Sequence, residues 1–455
     1  MGVVVSAPWQ AFARISLNQP ELKMVLRGGK SFYQNKWQGI DIGINQGGTL
    51  KIGPSNSLEA LEIIQVSNKI ISPGFIDILA DNAANSRKAY KIFEKYKVTD
   101  GVTTALQMHG GSSDCSNYYK TYGVLPHYIN FGVSTSVMQV RYSTPDLAER
   151  KRKVEKCLDE GALGVSHSIE YQPTPYEEIL VYAKLAKKYD RPFFLHLRYS
   201  SAEKELAGVD EAVRLAKESN AHVHIDHLHS TGGTFHMQEA LDKILGANAQ
   251  GLSMTCCVYP YSFWATYLHS KRFDDGWQKR YGLTYKDLQL VGTGERLTEE
   301  SFQRYRTLKK LVAVREGTLP MESTVDLALQ RDFCMIGSDG GIEYEPHANS
   351  HPRGAGCFAT TLRHGLDLGM PLEKILEKIT TLPRSLILPV TKDRGVLAEG
   401  AWADLTVFDP AIVNGRATVT NPNQFSHGIE LVLVNGKIAF QENALKEMSG
   451  VGLRN

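Results

Sequence analysis

Two short apolar runs, each ending in imidazoles and separated by one amphipathic helix, constrain this 455-residue chain more than any other feature. The first is Phe193-Phe194-Leu195-His196-Leu197-Arg198, and the second is His222-Val223-His224-Ile225-Asp226-His227-Leu228-His229. Between them, Ala202–Ser219 places Leu206, Val209, Ala212 and Leu215 on one helical face. Strand, helix and strand in that order is a βαβ unit, which belongs in a parallel sheet covered by helices. In closed barrels of such units the chemistry sits at the C-terminal ends of the strands, where His196 and His227 fall. Imidazole is a common zinc ligand, and two on neighbouring rigid strands are pre-organised for one ion. Taken singly, His222, His224 and His229 read as core residues that make hydrogen bonds.

The length allows two or three domains, although an α/β barrel can use some 250 residues alone. A hydrophobic content of 42% and a charged content of 22% are ordinary for a globular chain with ample core. A net charge of +2 gives no reason to expect nucleic acid or an anionic membrane surface. The first residues lack a basic stretch followed by a sustained apolar one, and no run approaches about 18 apolar residues. Neither secretion nor a membrane span is expected. The six cysteines (115, 157, 256, 257, 334 and 357) show no CxxC spacing, so reduced thiols in a cytoplasm are expected.

From Leu22 the pattern is one of short β segments cut by Gly and Asn, up to the Pro73-Gly74 turn. Strands and amphipathic helices then alternate for about 310 residues, the pattern of a (β/α)8 barrel. The segment Ala265–Leu311, rich in Lys, Arg and aromatics, shows no barrel strand and reads as a helical insertion over the active-site face. Beyond Pro389 the β character returns, with Ala403–Pro410 and Ile429–Val434 running into an Asn435-Gly436 turn. The expected organisation is α/β: a TIM-like barrel over residues 73–388, with a small β-sandwich domain assembled from residues 1–72 and 389–455.

Several words stand at telling places. Ser72-Pro73-Gly74-Phe75-Ile76-Asp77 enters the barrel, and Gly101-Val102-Thr103-Thr104 opens its second strand. Gly161-Ala162-Leu163-Gly164 with Glu170-Tyr171, His196-Leu197-Arg198 and Ile225-Asp226-His227 follow. Then come Ser338-Asp339-Gly340 and His351-Pro352-Arg353-Gly354, and finally Asn421-Pro422 and Val434-Asn435-Gly436-Lys437. In order and spacing, over residues 22–440, this series resembles the amidohydrolase superfamily, and within it the N-acyl-D-amino-acid deacylase (D-aminoacylase) branch.

The chain departs from that pattern twice. The family's first strand carries Asp-x-His-x-His, whose imidazoles hold one of two metal positions; here it reads Asp77-Ile78-Leu79-Ala80-Asp81. Leu79 cannot bind metal and Asp81 offers at most one oxygen, so the first position is lost or rebuilt. The family often has a bridging Cys or Glu after Gly-Val-Thr-Thr; here Gln107-Met108-His109-Gly110-Gly111 makes His109 the nearest candidate.

The resemblance then implies one zinc ion per chain on His196, His227 and His109, a three-histidine set that leaves a position open. It implies Asp339 as general base and acid, taking a proton from the attacking water and giving it to the leaving amine. By turn chemistry alone, Ser-Asp-Gly-Gly is a capped turn. For a substrate carboxylate the resemblance points to Arg198 and Arg353, with Tyr171, Tyr259 and Tyr261 nearby. His229 stands where the family often has Lys. His167, His347 and His351 read as surface imidazoles on loops of the same face.

The implied activity is metal-dependent hydrolysis of a non-peptide amide C–N bond in a small N-acylated amino-acid-like or cyclic substrate. Homo-oligomerisation stays open. So do two alternatives: a relative that only binds a small ligand, and one that runs an elimination, isomerisation or cyclisation in the same pocket.

Overall fold

The computed structural model describes residues 21–80, 87–341, 351–388 and 390–454. Asp81 and His347 lie outside the described residues. Eight parallel strands follow one another in chain order: β1 (Phe75–Asp77), β2 (Val102–Ser112), β3 (Asn130–Ser136), β4 (Val165–Ser168), β5 (Phe193–His196), β6 (Val223–Ile225), β7 (Met254–Val258) and β8 (Cys334–Ile336). The seam between β8 and β1 is bridged by the Asp339 N–H, which donates to the Leu79 carbonyl at 2.8 Å. The Ser338 N–H also donates there, to the Asp77 carboxylate at 3.0 Å. The result is a nearly closed (β/α)8 barrel.

Because side chains alternate along a strand, the apolar runs serve two layers at once. Phe193 and Leu195 of β5 pack outward against the helices, while Phe194 points to the axis with Leu106, Met108, Leu163 and Met335. His196 continues the inward set at the strand's end. Leu79, two residues past β1, belongs to the same interior cluster and is fully buried, so it contributes packing where an imidazole was sought.

The two ends of the chain share one sheet. Ile70–Pro73 pairs antiparallel with Leu405–Phe408, which pairs in turn with Ile429–Val434. Beneath it, Met24, Leu26, Ile42 and Ile71 from one end pack with Leu405, Val407, Leu431 and Leu433 from the other. Each such side chain stabilises by about 2 kcal/mol on burial, so four of them match roughly the whole net stability of a domain. A chain ending at Leu388 is therefore expected to be insoluble; soluble, cooperatively folding protein from that truncation would refute the shared sheet's importance. The tail continues to the barrel floor, where the Leu453 N–H donates to the Phe131 carbonyl at 2.7 Å and its side chain joins the interior cluster.

Two expectations need correction. The insertion is helical only in part: beside the helices Trp277–Tyr281 and Glu299–Thr307, the strands Ala265–Tyr267, Leu288–Leu290 and Leu311–Val314 form their own antiparallel sheet. Phe263, Trp264, Trp277 and Phe302 fill its separate core. Strands of three or four residues are too short to show a period of two. Nor are all six thiols reduced: Cys115 and Cys157 form a disulfide, with Cα atoms 5.2 Å apart, while the other four cysteines are free and buried. Among the described residues, no helix is long and apolar enough to cross a membrane.

Candidate active site

His109, His196 and His227 meet at the C-terminal end of the barrel, each offering a ring nitrogen within 4.8 Å of the others. Each arrives by a different local device. His196 is the last residue of β5 and simply follows the alternation. His227 lies just past β6 in a left-handed conformation (φ +28), held by its N–H on the Cys257 sulfur. His109 has the wrong parity to share the inward face of Leu106 and Met108. The register of β2 against β3 slips between Gln107 and Ser112, and such a bulge re-aims the side chains around it.

Every imidazole is braced on an oxygen. His109 Nδ1 lies 2.7 Å from Asp226, His196 Nε2 lies 2.9 Å from Glu170, and Ser230 Oγ lies 3.1 Å from His227 Nδ1. This is the outer-shell arrangement of metal-binding histidines, with one nitrogen tied and the other aimed inward. His196 Nδ1 and His227 Nε2 face each other at 3.2 Å.

The electrostatics favour neutral rings. Burial lowers the His196 pKa to about 4 despite the pull of Glu170. Burial, with the neighbouring imidazoles and Arg272, puts His227 well below the usual histidine range. Neutral imidazole is the form that ligates. Burial alone would raise Glu170, but the charge of Arg272 and the hydrogen bonds from His196 and Ser200 outweigh it and hold the carboxyl at about 2. Arg272, 4% exposed, comes from the insertion and also donates to the Ser230 carbonyl at 2.9 Å. One arginine thereby supports the braces of two histidines.

A cavity of about 600 Å³ opens over the imidazoles, lined also by Tyr171, Tyr267, Lys271, Asp339 and Arg353. Asp339, in a left-handed turn (φ +47), is paired with Arg353 at 2.8 Å and lies 3.9 Å from His227. Behind the turn, buried Lys97 pairs with Asp77 at 2.7 Å and donates to Ser338 Oγ at 2.7 Å. The Arg353 guanidinium stacks on Tyr259, and its Nε and Nη1 are buried without a hydrogen-bond partner among the described residues.

Of the residues expected to hold substrate, Tyr171 and Arg353 line this cavity, and Arg198, His229 and Tyr261 do not. Arg198 is drawn away by a bidentate pair with Glu211. His229 is fully buried against Tyr259, their ring centres 4.1 Å apart. Tyr261 packs on His351 at 5.2 Å and meets Thr360 at 3.4 Å. His229, Tyr259, Tyr261 and His351 thus form one layer behind Arg353. His167 and His351 are buried rather than on the surface. His222 and His224 bond Thr255, as core residues do.

Sequence reasoning gave no role to Glu170, Asp226, Ser230 or Arg272. The first two stood inside quoted words, Glu170-Tyr171 and Ile225-Asp226-His227, so a carboxylate beside a strand-end histidine was the available signal. Arg272 had none, since its partners are about 40 and 100 residues away.

Acid should unfold the protein early. Burial, with Arg141 and Arg198 nearby, lowers the His167 pKa to about 3, and burial lowers His222 to about 4. The unfolded chain binds these protons near pH 6.5, so the stability is complete above that value and is lost as pH falls toward 3. His167 alone accounts for about 3 kcal/mol by pH 4. Denaturant titrations at pH 7 and pH 4.5 should show the loss, and a smaller one in His167→Gln; equal losses in both proteins would refute the assignment.

No family model matches the chain. It is 28% identical over 459 residues to the D-aminoacylase of Alcaligenes xylosoxydans xylosoxydans, covering 89% of this chain and 91% of that one. To the N-acyl-D-glutamate deacylase of the same organism it is 25% identical over 475 residues, covering 93% and 95%. Among solved structures, the N-acyl-D-glutamate deacylase of Bordetella bronchiseptica matches with a TM-score of 0.82 at 24% identity, over 96% of this chain and all of that one. That protein was solved with zinc and a phosphonate inhibitor mimicking the tetrahedral intermediate. A D-aminoacylase structure matches with a TM-score of 0.81 at 22% identity, over 95% of this chain and 100% of that one. In sequence the chain is thus similar to D-aminoacylases and N-acyl-D-amino-acid deacylases over about nine-tenths of its length, and it shares the fold of their solved structures.

Proposed function

We propose that the protein hydrolyses the amide bond of a small N-acyl-D-amino acid, using one zinc ion per chain. The observation that carries this reading is the trio of buried, braced imidazoles beneath a cavity that also holds Asp339 and Arg353. His109, His196 and His227 would hold the ion. When bound, such an ion supplies Lewis acidity toward an amide carbonyl and acidifies water. Leu79 in the barrel interior supports one ion rather than two. In D-aminoacylase itself, one metal activates and a second attenuates.

The chain's own residues do the rest. Asp339 takes a proton from the attacking water and returns it to the leaving amine nitrogen. Arg353 keeps Asp339 oriented through Nη2 at 2.8 Å and puts a positive charge on the cavity wall, which attracts a substrate carboxylate. Tyr171, its ring 4.8 Å from that of His196, walls one side of the cavity. The insertion contributes Ala265, Thr266, Tyr267 and Lys271 to the cavity wall.

The test combines metal analysis of protein purified without chelator with an amine-release assay on a panel of N-acyl-D- and N-acyl-L-amino acids. One zinc per chain with turnover of D substrates is the expected result. Metal-free protein that is inert toward the panel would overturn the proposal.

A further inference from the structure

A second cavity, of about 510 Å³, adjoins the first: Lys271 lines both, and Glu170, the brace of His196, forms part of its wall. Five cations line it, Arg198, Lys204, Lys271, Lys279 and Arg280, against two carboxylates, Glu170 and Glu203. The existing pairs do not remove the imbalance. Glu170 is already neutralised by Arg272 at 3.1 Å, and Arg198 by Glu211 at 2.7 Å. Among the described residues, Lys204, Lys271 and Lys279 have no ion-pair partner. Like charges gathered without a counter-ion raise the potential of a concave site and draw anions into it. The Ser200 and Tyr281 hydroxyls, 3.0 Å apart, add hydrogen-bonding capacity at the same wall.

We propose that this cavity is a binding site for a phosphate-class oxyanion, of the size of a phosphate ester or diphosphate. A lone carboxylate is served better by a planar guanidinium fork. Here Arg280 donates to the Arg272 and Asp275 carbonyls, and the uncommitted groups are lysines, point charges that suit a multiply charged tetrahedral anion. The volume also far exceeds what one carboxylate fills. Because Lys271 faces both cavities, the anion is either free or the far end of a substrate whose amide reaches the histidines. The site itself does not depend on the hydrolytic reading, and its test reads binding alone.

Calorimetric titration of the full-length protein with inorganic pyrophosphate, at low and high salt, decides the matter. Saturable binding at one site per chain is expected, weakening as salt rises. The double variant Lys204→Gln/Lys279→Gln, at two exposed positions, should bind at least about tenfold more weakly with an unchanged melting temperature. Absence of saturable binding, or wild-type affinity in the double variant, would overturn the proposal. So would an equal loss in the control Lys437→Gln, whose lysine lies in the end-strand sheet. The same titration separates the two sources. An N-acyl amino acid with a phosphorylated acyl chain displaces pyrophosphate more tightly than inorganic phosphate does if the site takes a substrate tail. It displaces it equally if the site takes a free anion.

Discussion

Alanine at His196 or His227 is expected to strip the protein of its metal and of its activity together. Both rings are buried and neutral, and their inward nitrogens lie 3.2 Å apart, with oxygen partners fixing the opposite edges. Removing one outer-shell partner from a metal-binding histidine costs roughly 10- to 100-fold in metal affinity. Glu170→Gln should fall in that range, and loss of a ligand should exceed it. Metal content after dialysis, measured by emission spectroscopy, reads the result directly. Two ions per chain in the wild type, or full retention in both alanine variants, would refute the mononuclear three-histidine site.

Asp339→Asn is the second large effect, and it isolates chemistry from binding. Asparagine tolerates the left-handed backbone of residue 339 and can still accept from Arg353 through its amide oxygen. The variant should fold and keep its metal. It cannot take up a proton, and turnover should fall by about two orders of magnitude or more, the scale of losing a general base. Near-normal turnover in metal-replete Asp339→Asn protein would remove Asp339 from the mechanism.

What was legible in the residues was what repeats at short range. The period of two in β5 places Phe194 and His196 on one face, and the helix Glu205–Ser219 falls where its apolar spacing requires. The shared end-strand sheet could be read from texture because its strands run four to six residues between turn signals. The aim of His109 depends on a register slip, and a slip is a property of two strands, not one. Arg272 reaches Glu170 across 102 residues, and the Cys115–Cys157 bond spans a separation of 42; neither leaves a local pattern. Arg198 misled for a related reason. Its place after a strand-end histidine fits a substrate ligand, yet Glu211, thirteen residues on along the following helix, claims the guanidinium.

The sharing of one sheet by both termini bears on how the chain is made. On a ribosome, Ile70–Pro73 emerges hundreds of residues before Leu405–Phe408, and Leu453, which packs into the barrel floor, emerges later still. Contacts that close such long loops are slow to form. The early strands must therefore wait with unpaired edges and uncovered apolar faces throughout most of translation, the state in which chains aggregate. Yield in a recombinant host should accordingly track chaperone supply and growth temperature more than the stability of the finished protein.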